Sequence, residues 1–109
     1  TPRNPRDQIR KNLIMSNYTG LLREFGQFQQ AQLLLNEALQ QSEHVLPPGD
    51  PSILRLKLRL AENAISWDEQ VEAGQFISEV AAQVTASDPI YTEYAITLSN
   101  YLLTKELYD

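Results

Sequence analysis

Apolar and small residues recur at helical spacing between residues 27 and 44. Ala31 and Ala38 are seven residues apart, and leucines lie around them. In an α-helix, residues three, four and seven positions apart share one face. An alanine on that face lets a neighbouring helix approach closely. The pattern therefore predicts a helix that packs against a second one.

Three pairs of an Asx residue and a proline mark predicted helix starts, at Asn4-Pro5, Asp50-Pro51 and Asp88-Pro89. The Asx side chain suits the N-cap, and proline suits the first helical position. Gly26 is predicted to end the first helix in a left-handed turn. Ser66 and Glu69 have the spacing of a capping box for a later helix. The chain is predicted to form five helices, over about 5–24, 27–44, 51–65, 67–85 and 89–107.

Apolar positions also predict which helix faces are buried. The third helix is apolar on more than one side, as expected for a helix between two neighbours. The first helix is expected to bury an apolar stripe of Ile9, Leu13, Ile14, Tyr18, Leu21 and Leu22. In the last helix, Tyr94, Leu98, Tyr101 and Leu102 are expected to face the core, while Tyr91, Leu103, Leu107 and Tyr108 remain uncovered.

The uncovered residues suggest that the protein continues past Asp109 or that another chain packs there, since a helical array normally ends in a polar capping helix. The chain also begins at Thr1 without a methionine. A piece of a larger protein is therefore expected.

The middle of the chain resembles a tetratricopeptide repeat (TPR), of the kinesin-light-chain type. The resemblance rests on a turn glycine followed by an aromatic, a small, a large apolar and a second small residue, here Gly26, Phe28, Ala31, Leu35 and Ala38. The unit here is roughly 42 residues rather than the common unit of about 34. A shift of 42 aligns Ala31 with Ala73, although Gly26 then falls on Asp68.

The resemblance implies an all-α fold, a right-handed superhelical array of antiparallel helix pairs that is also called an α-solenoid. It would form a single domain over residues 1–109. Repeat 1 would span about 5–46, repeat 2 about 51–86 and a half repeat about 89–107. In this family, the first helix of each repeat lines a concave groove that holds a peptide. The resemblance thus implies a protein-binding or peptide-binding scaffold and no enzyme.

Carried over by position, the inner face of the groove would include polar residues from the first, third and last helices. Arg55 and Arg59 lie one turn apart and could grip a carboxylate. Arg59 with Glu62 could equally be a plain intrahelical ion pair. The full set is Asn17, Arg23, Arg55, Arg59, Glu62, Asn63, Glu93, Thr97 and Asn100.

Charge is distributed unevenly within the net charge of −5. Residues 1–23 carry five basic residues and one acidic residue, whereas residues 62–109 carry nine acidic residues and one lysine. These are either ordinary solvated helix surfaces or ends of opposite sign that steer association. Two alternatives to peptide binding thus remain open: homo-oligomerisation through the last helix or the charged ends, and a regulatory segment of a larger enzyme or ATPase.

Several classes of function are disfavoured by the sequence. The basic residues are too few for a phosphate-binding stripe, so no nucleic-acid partner is expected. His44 is the single histidine and there is no cysteine, so neither a metal site nor a cofactor is expected. No apolar run approaches the roughly 20 residues that span a bilayer, and no signal-peptide pattern is present. We expect a cytoplasmic protein without a membrane partner.

Overall fold

The computed structural model describes residues 4–108, which form five α-helices and no β-strand. The all-α prediction is confirmed. The helices are α1 (Pro5–Glu24), α2 (Phe28–Val45), α3 (Pro51–Ser66), α4 (Gln70–Ala81) and α5 (Tyr91–Tyr108).

Two of the three predicted helix starts are confirmed. The side chain of Asn4 accepts a hydrogen bond from the backbone N–H of Asp7, and that of Asp50 accepts one from Ser52, both at 2.8 Å. The third prediction is wrong, because the carboxylate of Asp88 accepts from the backbone N–H of Thr85 instead, also at 2.8 Å. Helix α4 ends at residue 81 and α5 begins at residue 91, so the connection between them is longer than predicted.

The turns after α1 and α3 have the same geometry, 42 residues apart. Gly26 has a φ of +76° and Asp68 a φ of +62°, so both residues are left-handed. The backbone N–H groups of Gln27 and Glu69 each donate to the carbonyl five residues earlier, at 2.8 Å. These are the bonds of a Schellman motif. Asp68, onto which Gly26 falls under the 42-residue shift, thus takes the role of the turn glycine.

The predicted capping box at Ser66 and Glu69 does not form. Ser66 is the last residue of α3, and Glu69 occupies the N-cap of α4 without a side-chain cap bond. The left-handed turn between them places the helix boundary two to three residues later than the capping-box pattern predicts.

Helix α3 lies at the centre and packs against each of the other four helices. On one side Leu56 and Leu60 form a buried cluster with Leu35 and Ala38 of α2. On the other side Leu54 and Leu58 pack with Val80 of α4 and Ile90. The prediction of a helix between two neighbours is confirmed.

The predicted buried stripe of α1 is wrong except at Leu22. The other five residues of the stripe are 43–59% exposed, namely Ile9, Leu13, Ile14, Tyr18 and Leu21. Facing α2 and α3 instead is a row of polar side chains. These are Gln8, Asn12, Ser16 and Thr19.

Hydrogen bonds satisfy part of the polar row that α1 buries, whereas the hydroxyl of Ser16 and the amide oxygen of Gln8 have no partner among the described residues. The amide nitrogen of Asn12 donates to the hydroxyls of Ser42 on α2 and Ser52 on α3, at 2.7 and 2.8 Å. Gln8 donates to the amide oxygen of Asn12 at 2.9 Å. Buried polar groups are tolerated when they are paired in this way. The apolar residues of α1 are thereby turned outward.

The face of α5 agrees in large part with the prediction. Tyr94, Leu98 and Tyr101 are partly buried, but Leu102 is exposed, contrary to expectation. The predicted exposure of three other residues is confirmed, for Tyr91, Leu103 and Leu107. The Tyr108 side chain lies outside the described residues.

Candidate binding groove

Helices α1 and α5 flank α3, and together they line one surface that we term the groove. Most of α3 is buried, and its exposed arc carries Arg55, Arg59 and Glu62. Their spacing of four and three residues places them on one helix face. The sequence therefore leaves α3 with a narrow charged strip between its two neighbours.

Five charged side chains form a continuous chain of ion pairs along this strip. Arg23 of α1 donates to Glu62 at 3.2 Å, and Arg59 donates to the same carboxylate at 2.9 Å. A second nitrogen of Arg59 donates to Glu93 of α5 at 2.8 Å. Arg55 donates to the other oxygen of Glu93 at 3.2 Å. This arginine–glutamate chain joins α1, α3 and α5.

The arginine–glutamate chain has three positive and two negative groups, so it carries a residual positive charge. Each glutamate is shared by two arginines. The side chains are between about one-sixth and one-third exposed, and ion pairs at such partly solvated positions contribute roughly 0.2–1 kcal/mol each.

A cavity of about 330 Å³ adjoins one end of the arginine–glutamate chain. Three predicted groove residues from three different helices meet there, Arg23 from α1, Glu62 from α3 and Asn100 from α5. The other lining residues are Ile65, Ser66, Leu103, Thr104 and Leu107. The cavity thus combines a charged edge with an apolar wall.

Two predicted groove residues are buried, so their assignment to the open inner face is wrong. Asn63 is 3% exposed, and its amide nitrogen donates to the carbonyl oxygen of Phe28 at 2.9 Å. It therefore ties α3 to the start of α2. Thr97 is 1% exposed. It lies one turn after Glu93, whose carboxylate reaches α3, and this places Thr97 against α3 as well.

Asn17 is exposed on α1, as an inner-face residue must be. It is not among the residues that line the 330 Å³ cavity. Of the two alternatives considered for Arg59, the structure contains the intrahelical pair with Glu62, and the same guanidinium also reaches Glu93 on the neighbouring helix.

Sequence reasoning missed the apolar wall of the cavity. Leu103 and Leu107 were expected to be uncovered, but they were not assigned to the groove. Their spacing of four residues on the same helix as Asn100 was the available signal. Residues on that side of α5 line the groove together with the polar residues of α3.

Two negative findings apply to the part of the chain that the structure describes. Residues 4–108 contain no group of three or more His, Cys, Asp or Glu side chains that could hold a metal ion. His44 is exposed in the last turn of α2. No helix within the same range has the length and apolar character required to cross a membrane.

Comparison with protein-family models, with curated proteins and with solved structures gives no match. The grounds for a function are therefore the groove and its side chains.

Proposed function

We propose that the chain is a TPR-like interaction module of about two and a half repeats. The pairs α1–α2 and α3–α4 would be consecutive repeats of a right-handed α-solenoid, with α5 as the first helix of a third. The identical turns at residues 26 and 68 support this proposal. So does the packing of α3 against both helices of the preceding pair and against both α4 and α5.

In this proposal the groove binds an extended segment of a partner protein and has no catalytic role. The observation that carries it is the convergence of Arg23, Glu62 and Asn100, from three helices, on one cavity beside the arginine–glutamate chain. A concave site with a few convergent polar groups and an apolar wall is typical of a binding site.

The side chains define the chemistry of the ligand. An apolar side chain of the partner fits the wall formed by Ile65, Leu103 and Leu107. An acidic side chain or a terminal carboxylate suits Arg55 and Arg59, where it would exchange with Glu93. The amide of Asn100 offers both a donor and an acceptor to the peptide backbone. We therefore propose a ligand that carries an acidic group next to an apolar residue.

The proposal is tested by selecting peptides from a random library of displayed 12-residue sequences on the wild-type chain. Enriched peptides should share an acidic residue near a large apolar one. A synthetic peptide of the enriched sequence is then titrated calorimetrically into the wild type and into the double variant Arg55→Ala/Arg59→Ala. We expect affinity to fall by at least roughly tenfold, since a charge-assisted hydrogen bond contributes about 1.5–3 kcal/mol.

A matched control removes two cations outside the arginine–glutamate chain, in the double variant Arg10→Ala/Lys105→Ala. Both side chains are exposed, and the net charge changes by the same amount as in the test variant. We expect this control to bind like the wild type in moderate salt, where distant charges are screened. Equal affinity of wild type and Arg55→Ala/Arg59→Ala would exclude these two arginines as the part of the groove that binds the acidic group.

A further inference from the structure

A second cavity, of about 420 Å³, opens between the turn that follows α1 and the turn that follows α3, and we call it the turn cavity. Its volume is within the range of ligand sites in proteins. It shares no lining residue with the 330 Å³ cavity of the groove. The lining residues are Gly26, Gln27, Phe28, Gln29, Gln30 and Trp67.

Two aromatic rings form the apolar part of the turn cavity. The ring centroids of Phe28 and Trp67 are 6.2 Å apart, and the ring planes are inclined by 27°. Aromatic rings at this separation are offset, so each covers the other only in part. Both side chains line the cavity and are partly exposed. Ring surface is therefore open to a ligand.

One buried residue holds both aromatic residues in place. The amide nitrogen of Asn63 donates to the backbone carbonyl of Phe28 at 2.9 Å. The backbone carbonyl of Asn63 accepts from the backbone N–H of Trp67 at 3.0 Å. Because Asn63 is 3% exposed, these bonds are shielded from water. The two rings are thus positioned before a ligand arrives, which lowers the entropic cost of binding.

The ionised side chains next to the turn cavity are acidic. Asp68 and Glu69 directly follow Trp67, and Glu24 lies two residues before Gly26. All three acidic residues are exposed. None of them forms an ion pair with another residue in the range 4–108. Their charge is therefore available to a ligand.

No lysine or arginine occurs in residues 24–54 and 60–104, the two stretches that supply every lining residue of the turn cavity. Arg23 adjoins the first stretch, but its guanidinium is paired with Glu62 at 3.2 Å. The helix dipoles offset one another, because α1 and α3 end here while α2 and α4 begin here. The side chains thus favour a cationic ligand over an anionic one.

We propose that the turn cavity binds an arginine side chain from a basic segment of a partner protein. The flat guanidinium stacks on the open ring surface of Phe28 and Trp67. Its N–H groups are donors for the carboxylates of Asp68 and Glu69 and for the amide oxygens of the lining glutamines. A lysine ammonium is compact and strongly hydrated, so arginine is preferred. This site is separate from the groove and does not depend on the ligand proposed there.

The proposal is tested by fluorescence, because Trp67 is the only tryptophan of the chain and reports directly on the turn cavity. The wild type is titrated with short glycine–serine peptides that carry one central arginine, lysine or citrulline. Citrulline has nearly the shape of arginine but no charge. We expect the arginine peptide to change the emission saturably, with a Kd of about 1 mM or below. The citrulline peptide should bind at least roughly fivefold more weakly, and the lysine peptide more weakly than the arginine peptide.

The double variant Asp68→Asn/Glu69→Gln removes two charges beside Trp67 while it keeps the side-chain shapes, and asparagine tolerates the left-handed backbone. Asp7→Asn/Glu43→Gln is the matched control. It makes the same two types of substitution at exposed positions, at the ends of α1 and α2 that lie away from the turn cavity. We expect the test variant to bind the arginine peptide at least roughly threefold more weakly. The control should bind like the wild type in moderate salt.

Phe28→Leu tests the stacking independently of the charge. Leucine keeps the position apolar but has no ring surface for the guanidinium, so affinity for the arginine peptide should again fall by at least roughly threefold. Trp67 remains as the reporter, and circular dichroism verifies that the variant is helical. If Phe28→Leu does not fold, the charge variant decides.

Three results would overturn the proposal. The absence of a saturable change in Trp67 emission would exclude an arginine site at the turn cavity. Equal affinity for the arginine and citrulline peptides, or equal affinity of the wild type and Asp68→Asn/Glu69→Gln for the arginine peptide, would exclude recognition of the positive charge. Tighter binding of the lysine peptide would exclude stacking of a guanidinium as the basis of recognition.

Discussion

Helices α1 and α3 begin and end alike, yet they bury opposite chemistry. Each starts with an Asx cap and a proline and closes in a left-handed turn. Where α3 buries Leu54 and Leu58, the positions 42 residues earlier in α1 are Asn12 and Ser16. Where α3 buries Leu56, α1 exposes Ile14. The two helices thus have the same caps and turns but differ in whether apolar or polar side chains face the core.

This difference shows that the positions of the neighbouring helices, and not the apolar content of the helix itself, decide which side chains are buried. Helix α3 has neighbours on both sides, so leucines fill both contacts. Helix α1 packs against α2 and α3 on one side and holds them through hydrogen bonds. A hydrogen bond contributes about 1 kcal/mol, and a buried leucine roughly 1.5–3 kcal/mol. We therefore expect α1 to be held less firmly than α3.

The largest expected difference in the free energy of unfolding is between variants at Leu58 of α3 and at Ser16, the corresponding position of α1. Leu58→Ala leaves a cavity among Leu54, Val80 and Ile90 and should lower the free energy of unfolding by about 2–5 kcal/mol. Ser16→Ala removes a hydroxyl without a hydrogen-bond partner among the described residues and should change it by less than about 1 kcal/mol. Urea denaturation measures both values. Similar losses of unfolding free energy in Leu58→Ala and Ser16→Ala would contradict the claim that α3 is held more firmly than α1.

A smaller effect concerns the alanines of the second helix in each pair. Ala31 and Ala73 are both fully buried, so Ala31→Leu and Ala73→Leu should each overpack a helix contact and destabilise by roughly 1–3 kcal/mol. An unchanged denaturation midpoint for Ala31→Leu would contradict the close packing of α2 around Ala31.

The polar network of α1 gives a prediction of similar size. Asn12→Leu places the residue type of position 54 in α1, but it leaves the hydroxyls of Ser42 and Ser52 without their donor. Stability should fall by about 1–3 kcal/mol. The triple variant with Ser42→Ala and Ser52→Ala should recover part of that loss, since the two hydroxyls are then gone while the amide nitrogen of Gln8 still lacks its acceptor. Stabilisation by Asn12→Leu alone would show that the network does not form.

The smallest effect concerns the turns. An L-residue in the left-handed region is disfavoured by roughly 1 kcal/mol relative to glycine. Asp68→Gly should therefore raise the denaturation midpoint slightly, and Gly26→Asp should lower it by a similar amount. No atom lies within 4 Å of a Cβ at Gly26, so backbone conformation alone determines this effect. Changes of the same sign in both variants would mean that the turns are not equivalent.

Much of the fold could be predicted because it depends on local chemistry. The caps at Asn4 and Asp50, the turn at Gly26 and the two-sided α3 follow from residues close to one another in sequence. The buried face of α1 could not be predicted from apolar periodicity, because α1 carries apolar residues around much of its outer surface. The polar row at positions 8, 12, 16 and 19 also has helical spacing, and it was the overlooked signal.

The sequence predicted the exposure of the groove residues at the middle of α3 correctly, but it misplaced two residues at the contacts between helices. Arg55, Arg59 and Glu62 are the polar arc of an otherwise buried helix, so their exposure follows from the sequence of α3 alone. The burial of Asn63 and Thr97 depends on how α3 and α5 rotate against their neighbours. That rotation is set by side chains from several helices, which residue spacing within one helix does not describe.

The most direct test of the account is thiol labelling, because the chain has no cysteine of its own. Ile14→Cys and Ser16→Cys each introduce a single thiol on α1, and each is labelled in dilute native solution and in urea. We expect Ile14→Cys to react in the native state nearly as fast as in urea. Ser16→Cys should be protected by at least about tenfold, since its labelling requires local opening. Protection of position 14 together with rapid labelling of position 16 would contradict the finding that α1 buries its polar row and exposes its apolar residues.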